Sequence, residues 1–221
     1  MKQFHIFVEG DADIKFLYDY IEEIFSISLN AKINRKGGIE PKTLHCIQAT
    51  NGWTVFKSDA GATFRDKMKE NTSNGIINLV VFDADTSKNG GGFADRKQEI
   101  DEWKAKYELN FELFLFPNNQ DDGELENLLE NIINPQNAPV FDCWQKFEDC
   151  LPTKTTCTKN PLTIPAKKSK IYAYMEVLLG ESNSEKDKAK DPNRDFKKTE
   201  HWDLTAKAIE PLKDFLHSHI A

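Results

Sequence analysis

The sequence predicts an α/β protein, with a mostly parallel sheet flanked by helices and a helical C-terminal part. Three observations carry this. Over the first two-thirds of the chain, short β-rich runs alternate with stretches whose apolar residues recur at helical spacing. The clearest run, GIINLVVF at 75–82, is apolar on both faces, as a strand covered from above and below requires. After about Asn134 the strand signals stop and the helical ones continue.

The elements follow in order. QFHIFV (3–8) is a β-rich run. DADIKFLYDYIEEIF (11–25) places Ile14, Leu17, Tyr18, Ile21, Ile24 and Phe25 on one helical side, with Asp11 and Asp13 in the first turn, where the helix dipole favours them. TLHCIQA (43–49) is the second predicted strand, and GWTVFKSDAGATFRDKMKEN (52–71) reads as one or two helices. GIINLVVF is the third strand. A glycine-rich loop, SKNGGG (87–92), and a charged amphipathic helix, FADRKQEIDEWKAKYE (93–108), come next. FELFLF (111–116) is the fourth strand, stopped by Pro117. DGELENLLENII (122–133) opens a helix with Leu125, Leu128, Leu129, Ile132 and Ile133 on its apolar side.

Strands alternating with helices imply right-handed βαβ crossovers. Residues 1–134 are therefore expected to form the α/β unit and 135–221 a helical extension packed on it. In that extension VFDCWQKFEDCL (140–151), KKSKIYAYMEVLLG (167–180) and DLTAKAIEPLKDFLHSHI (203–220) read as helices. The polar stretch ESNSEKDKAKDPNRDFKK (181–198) reads as a loop.

Composition limits the function classes. A chain of 221 residues, 39% hydrophobic, is long enough for one sizeable core. With a formal net charge of -7 it does not read as a protein that coats nucleic acid with a basic surface. No apolar run approaches the roughly 20 residues of a membrane span, and MKQFHIFVEG lacks the apolar core of a signal peptide. The expectation is a soluble, cytoplasmic protein that does not engage a membrane. Cys143, Cys150 and Cys157 recur every seven residues with no histidine nearby. That is not zinc-ligand spacing, and reduced, partly buried thiols are expected.

Carboxylates cluster where strands end. Glu9, Asp11 and Asp13 follow the first strand, Asp83 and Asp85 the third, and Asp121, Asp122, Glu124 and Glu126 the fourth. In an open parallel sheet ligands sit beyond the carboxyl ends of the strands. If the first and third strands are neighbours, their acids converge on one edge. Several carboxylates a few ångström apart stay ionised together only when a cation compensates them. Hard oxygen donors of this kind select Mg²⁺, Mn²⁺ or Ca²⁺.

A Glu-Gly pair closing the first strand (FVEG), followed by a DxD closing a later apolar strand (VVFDAD), resembles the TOPRIM domain of topoisomerases, primases, recombination factors and overcoming-lysogenization-defect (OLD) nucleases. EGDAD is similar to the EGxxE form of the OLD-like branch, with Asp13 where a second glutamate often stands. LFLFPNNQDDGELENLL and the terminal HWDL and PLKDFL further resemble a small stand-alone bacterial family of DUF3226 type. The TOPRIM resemblance covers residues 3–133, and the small-family resemblance nearly the whole chain.

What the resemblance implies is a Mg²⁺- or Mn²⁺-dependent nuclease or related phosphoryl-transfer enzyme acting on DNA or RNA. Glu9 would match the TOPRIM glutamate, as general acid/base or metal ligand, and Asp83 and Asp85 the catalytic, metal-binding DxD. Asp13 would match the further acid, and Glu124 or Glu126, Glu126 before Glu124, would complete a second metal site. Three departures stand out: no tyrosine is placed as a topoisomerase nucleophile, no Walker motif accompanies the domain, and no basic channel is evident. They keep open a catalytically silent module that binds nucleic acid or protein, and a hydrolase of small phosphorylated molecules.

Each feature also has a plainer explanation. Asp11 and Asp13 serve as helix N-terminal acids, Asp83 and Asp85 as turn caps, and Asp122 as the cap of the helix that follows it, with Glu124 in its first turn. Glu126 shares a helix face with Leu129, Glu130 and Ile133. NGGG reads as a connecting loop rather than a phosphate cradle. Arg96 and Lys97, and Lys167, Lys168 and Lys170, read as solvated faces, and His201, His217 and His219 as surface residues.

Overall fold

The computed structural model describes residues 2–32, 45–157, 159–190 and 193–220. Its centre is a five-stranded, all-parallel sheet built from β1 (Phe4–Val8), β2 (Asn30–Lys32), β3 (Cys46–Ala49), β4 (Ile77–Asp83) and β5 (Glu112–Phe116), in the order β2-β3-β1-β4-β5. The expected parallel α/β fold is present. β2 is an addition: three residues, two of them polar, at the sheet edge, too short to show a period in sequence. Thr43 and Leu44, the start of the predicted second strand, lie outside the described residues.

Side chains of the central strands alternate between two cores, as a period of two dictates. Phe4, Ile6 and Val8 of β1, Leu79 and Val81 of β4, and Phe114 and Phe116 of β5 point to one face. Phe7, Val80, Phe82 and Leu115 point to the other. The second face is covered by α2 (Trp53–Lys57), α3 (Ala62–Ser73) and α4 (Phe93–Lys106), through Trp53, Phe56, Met68, Ile100 and Trp103.

The first face takes α1 (Asp11–Phe25) and α5 (Leu125–Glu130), and from the C-terminal part α7 (Lys167–Leu178) and α9 (Glu210–Ile220). α6 (Ala138–Cys150) lies outside them with no buried residue of its own, and α8 (Asn183–Lys186) is a single turn. Trp202, Phe196 and Leu216 belong to the same apolar cluster as β1 and β4. No helix among the described residues is long and apolar enough to cross a membrane.

Several sequence expectations are corrected here. α5 stops at Glu130 instead of running through Ile133, because the chain turns so that Ile133 bridges Trp202 and Asp203 N–H donates to the Ile132 carbonyl. The last helix starts at Glu210, not Asp203, because the Asp203 carboxylate accepts from Thr205 N–H and forms a turn. The 181–198 stretch is not a plain loop: it holds α8, and Arg194 and Phe196 are buried, with Phe196 N–H bonded to Asp19 of α1. Asp191 and Pro192 of that stretch are outside the described residues. His201 is buried rather than on the surface, and burial holds its pKa below the usual value. Cys143, Cys150 and Cys157 are exposed rather than partly buried, and Cys46 is half-buried.

Candidate carboxylate site at the sheet edge

The chain runs from β1 through α1 to β2, returns to β3 beside β1, and then crosses to β4 on the other side of β1. α1 leaves β1 toward one face and α4 leaves β4 toward the other, so β1 and β4 flank the point where the chain changes face, the position at which open α/β sheets take ligands. Glu9 and Asp83 follow these two strands. The registers that align Val8 with Val81 and with Ala49 bring these strand ends level.

Glu9 follows β1 directly. Its Oε1 accepts from Asp83 N–H at 3.1 Å and its Oε2 from Trp53 N–H at 3.4 Å, so one carboxylate ties the exits of β4 and β3 to β1. Burial pushes its pKa up, against the pull of the Asp83 amide. Asp13 lies in the first turn of α1, buried, and its Oδ2 accepts from Gly10 N–H at 2.7 Å. It is a helix N-terminal acid, as the plainer explanation held, but a desolvated one. Burial first, then the charges of Glu9 and Glu126, raise its pKa to about 7, although the Gly10 bond and the Lys168 charge oppose this.

Asp83 ends β4, and its Oδ1 accepts from Leu125 N–H at 2.8 Å, capping α5. Burial, and then the charges of Asp13, Glu9 and Glu126, hold it well above the ordinary carboxylate range. Glu126, in the first turn of α5, is buried against the same group. Glu124 occupies the N-cap of α5, with its pKa raised by partial burial and by Glu126 and Asp85, while Lys167 opposes.

Four carboxylates thus converge: Glu9 from β1, Asp13 from α1, Asp83 from β4 and Glu126 from α5. They interact strongly as charges. Among the described residues, however, no three His, Cys, Asp or Glu side chains stand close enough to form a ready metal cage.

Asp85 behaves differently. Its backbone is left-handed, at φ 59°, and pairs with Gly123 through two 2.8 Å hydrogen bonds. Its Oδ2 is held by Arg96 Nη2 at 2.6 Å. Arg96, expected on a solvated face, is buried, and its Nη1 donates to Glu99 at 2.9 Å. Trp53 Nε1 and Lys57 Nζ also donate to Glu99, and although burial opposes them they hold its pKa below the usual value. Lys97 is exposed and pairs with Asp101, as a solvated face predicts.

The glycine loop packs tightly over this pair. A Cβ at Gly91 would stand 2.5 Å from Asp85 Cβ and 2.7 Å from the Ala84 carbonyl, so only glycine fits. The Gly90, Gly91 and Gly92 amides donate to Ser87, Thr86 and Ala84 carbonyls, which makes the run a connecting loop. Asp122 does not cap the helix that follows it. Its carboxylate accepts from Phe93 N–H at 2.7 Å and caps α4, because the loop after β5 folds back over the start of that helix. Asp121 bonds Asn118, and nothing brings Asp11 into the buried group.

Sequence reasoning missed Arg96 and Lys168 as neighbours of the carboxylates. Lys168 acts on Asp13 from the first turn of α7, and Lys167 donates to Asn127 of α5 at 2.7 Å. A buried arginine in FADRKQEIDEW carries one sequence signal, its place among the inward-facing residues Ile100 and Trp103 of the helix. Lys168 carries none, since its nearness depends on how the C-terminal part folds back.

No curated protein and no solved structure matches the chain. A family model described as protein of unknown function (DUF3226) matches residues 3–220, nearly its whole length, and the chain belongs to that family.

Proposed function

We propose that this chain is a divalent-cation-dependent phosphoryl-transfer enzyme with a TOPRIM-like site, cleaving phosphodiester bonds in DNA or RNA. One observation carries the proposal: Glu9, Asp13, Asp83 and Glu126 reach a single sheet edge from four different elements, Asp13 and Glu126 buried and Glu9 and Asp83 half-buried, with their charges acting on one another. Burying acids together costs stability, and it is tolerated where a positive partner is meant to arrive. The donor set fits Mg²⁺ or Mn²⁺, being entirely carboxylate oxygen with no thiol or imidazole.

To hold such an ion Asp13, Asp83 and Glu126 would have to draw closer than they stand; when bound it would supply Lewis-acid polarisation of a phosphoryl oxygen. The rest falls to the chain itself. Asp83 Oδ1, anchored to Leu125 N–H, fixes α5 and therefore Glu126 relative to β4. Glu9 is pinned by two backbone amides, and burial raises its pKa above the usual carboxylate range, the direction that suits an acid/base role.

A catalytically silent module that binds nucleic acid or protein is the second reading. It is favoured by the lack, among the described residues, of a preformed metal cage. Cleavage of single- and double-stranded DNA and of RNA, with and without Mg²⁺ or Mn²⁺, separates the two. We expect cation-dependent cleavage that falls ~100-fold or more in Asp83→Asn, a change that keeps an acceptor for Leu125 N–H but removes a charged ligand. A folded wild type with no cation-dependent cleavage of any of the three would favour the silent module.

A further inference from the structure

The chain is acidic overall, yet its longest stretch without an Asp or Glu, from Cys150 to Met175, holds five lysines: Lys154, Lys159, Lys167, Lys168 and Lys170. The stretch opens with a hairpin bridged at Thr155 and Pro161. Thr156 N–H donates to the Asn160 carbonyl at 2.7 Å, and Leu162 N–H to the Lys154 carbonyl at 3.0 Å. Lys154 stands at the base of the hairpin and Lys159 at its tip; both are exposed, and neither has an ion pair among the described residues. Solvated faces elsewhere in the chain mix signs, as Lys97 with Asp101 and Lys67 with Glu70 do. This one does not.

The lysines run toward the carboxylates. In the first turn of α7, Lys168 acts on Asp13, Lys167 donates to Asn127 at 2.7 Å, and Lys170 pairs with Glu130 at 3.1 Å. The five-residue step from Leu162 to Lys167 spans at most about 18 Å, so the hairpin is tethered beside the sheet edge. Within that tether Ile164 is 56% exposed.

From this we infer that Lys154, Lys159, Ile164, Lys167 and Lys168 form a contact surface for single-stranded nucleic acid. Phosphates meet Lys154 and Lys159, and the strand passes Ile164 to reach Lys167 and Lys168 beside Asp13. Lysines on phosphate give affinity without reading sequence. Ile164 offers an apolar surface to an unstacked base, which a duplex keeps inside its stack. Where the strand leads rests on the phosphodiester reading above; the binding itself needs no cation.

The test is fluorescence anisotropy of a labelled oligothymidylate with the full chain in EDTA, at a series of salt concentrations. The double variant Lys154→Ala, Lys159→Ala should bind about tenfold or more weakly, and its salt slope should be shallower by about 1.4, ~0.7 for each lysine lost. Ile164→Ser should weaken binding about threefold or more and leave the slope unchanged, since it removes no charge. All three side chains are exposed, so the melting curves should stay those of the wild type. The oligothymidylate should bind more tightly than a duplex of equal length or inorganic polyphosphate of equal charge.

A wild type that does not bind the oligothymidylate, a double variant within about twofold of the wild type, or an Ile164→Ser variant that matches it overturns the inference. So does a duplex or a polyphosphate held as tightly as the single strand. None of these outcomes touches cation-dependent cleavage, which is read separately. Single-strand binding in a chain that cleaves nothing with Mg²⁺ or Mn²⁺ overturns the cleavage reading and leaves the surface standing.

Discussion

At the scale of single residues, the informative group is Asp13. Its pKa rises from about 3.9 in an unfolded chain to about 7 in the folded one. Between those values the folded state holds more protons than the unfolded state, so stability falls as pH rises through that window. The contribution is fully present below about pH 4 and is lost as pH passes 7. Asp13→Asn removes the titration while keeping an acceptor for Gly10 N–H. Without divalent ions the variant should match the wild type near pH 4 and melt roughly 5 °C or more above it at pH 8. Melting curves at several pH values decide this, and a gap that does not widen with pH would mean that Asp13 titrates normally.

At the scale of elements, the four longer strands were legible because their apolar runs are bounded by clear breakers. α1 was legible because its period is strong. What sequence could not show is where loops fold back. Asp122 sits just before α5 in sequence but caps α4 in space, and Arg96 looks solvated until Asp85 and Glu99 are seen to face it. Both depend on contacts between segments far apart in the chain. The acids of the candidate site were legible at Glu9, Asp13, Asp83 and Glu126, since strand ends announce themselves. The separate allegiance of Asp85 was not, because two residues of spacing do not reveal a left-handed turn.

That turn yields its own prediction. Gly91→Ala pushes a methyl group into Asp85 Cβ and the Ala84 carbonyl, neither of which can yield as a flexible side-chain tip does. The substitution should cost about 1–3 kcal/mol by overpacking, whereas Gly90→Ala meets nothing within 4 Å and costs only the strain of its φ of 73°. Chemical denaturation of the two variants gives the comparison. Equal losses would show that the loop does not pack as described.

At the scale of the whole molecule, the C-terminal part completes the core. Trp202 is 1% exposed, 5.0 Å from the Phe196 ring and 5.5 Å from Tyr174, within the apolar cluster that lines β1 and β4. Trp202→Ala should cost about 3–5 kcal/mol, a large share of the roughly 5–15 kcal/mol that holds such a chain together. Its urea midpoint should fall, and residues on both sides of Asn134 should unfold in one transition followed by backbone circular dichroism and by intrinsic fluorescence. Two separated transitions would mean that the C-terminal helices are an independent unit.

Trp53 joins these scales. Its backbone amide touches Glu9, its indole N–H touches Glu99, and its ring meets Trp103 edge-on at 5.6 Å. The chromophore is therefore anchored at both ends to acids, one at the candidate site and one paired with Arg96, with a second indole close enough to exchange excitation energy. Indole emission follows the electric field along the ring, so a change of charge at the candidate site becomes a change of colour. Of the four tryptophans, Trp53 is the one tied to a candidate-site acid, so a Trp53→Phe variant would show which part of the emission reports on that end of the sheet.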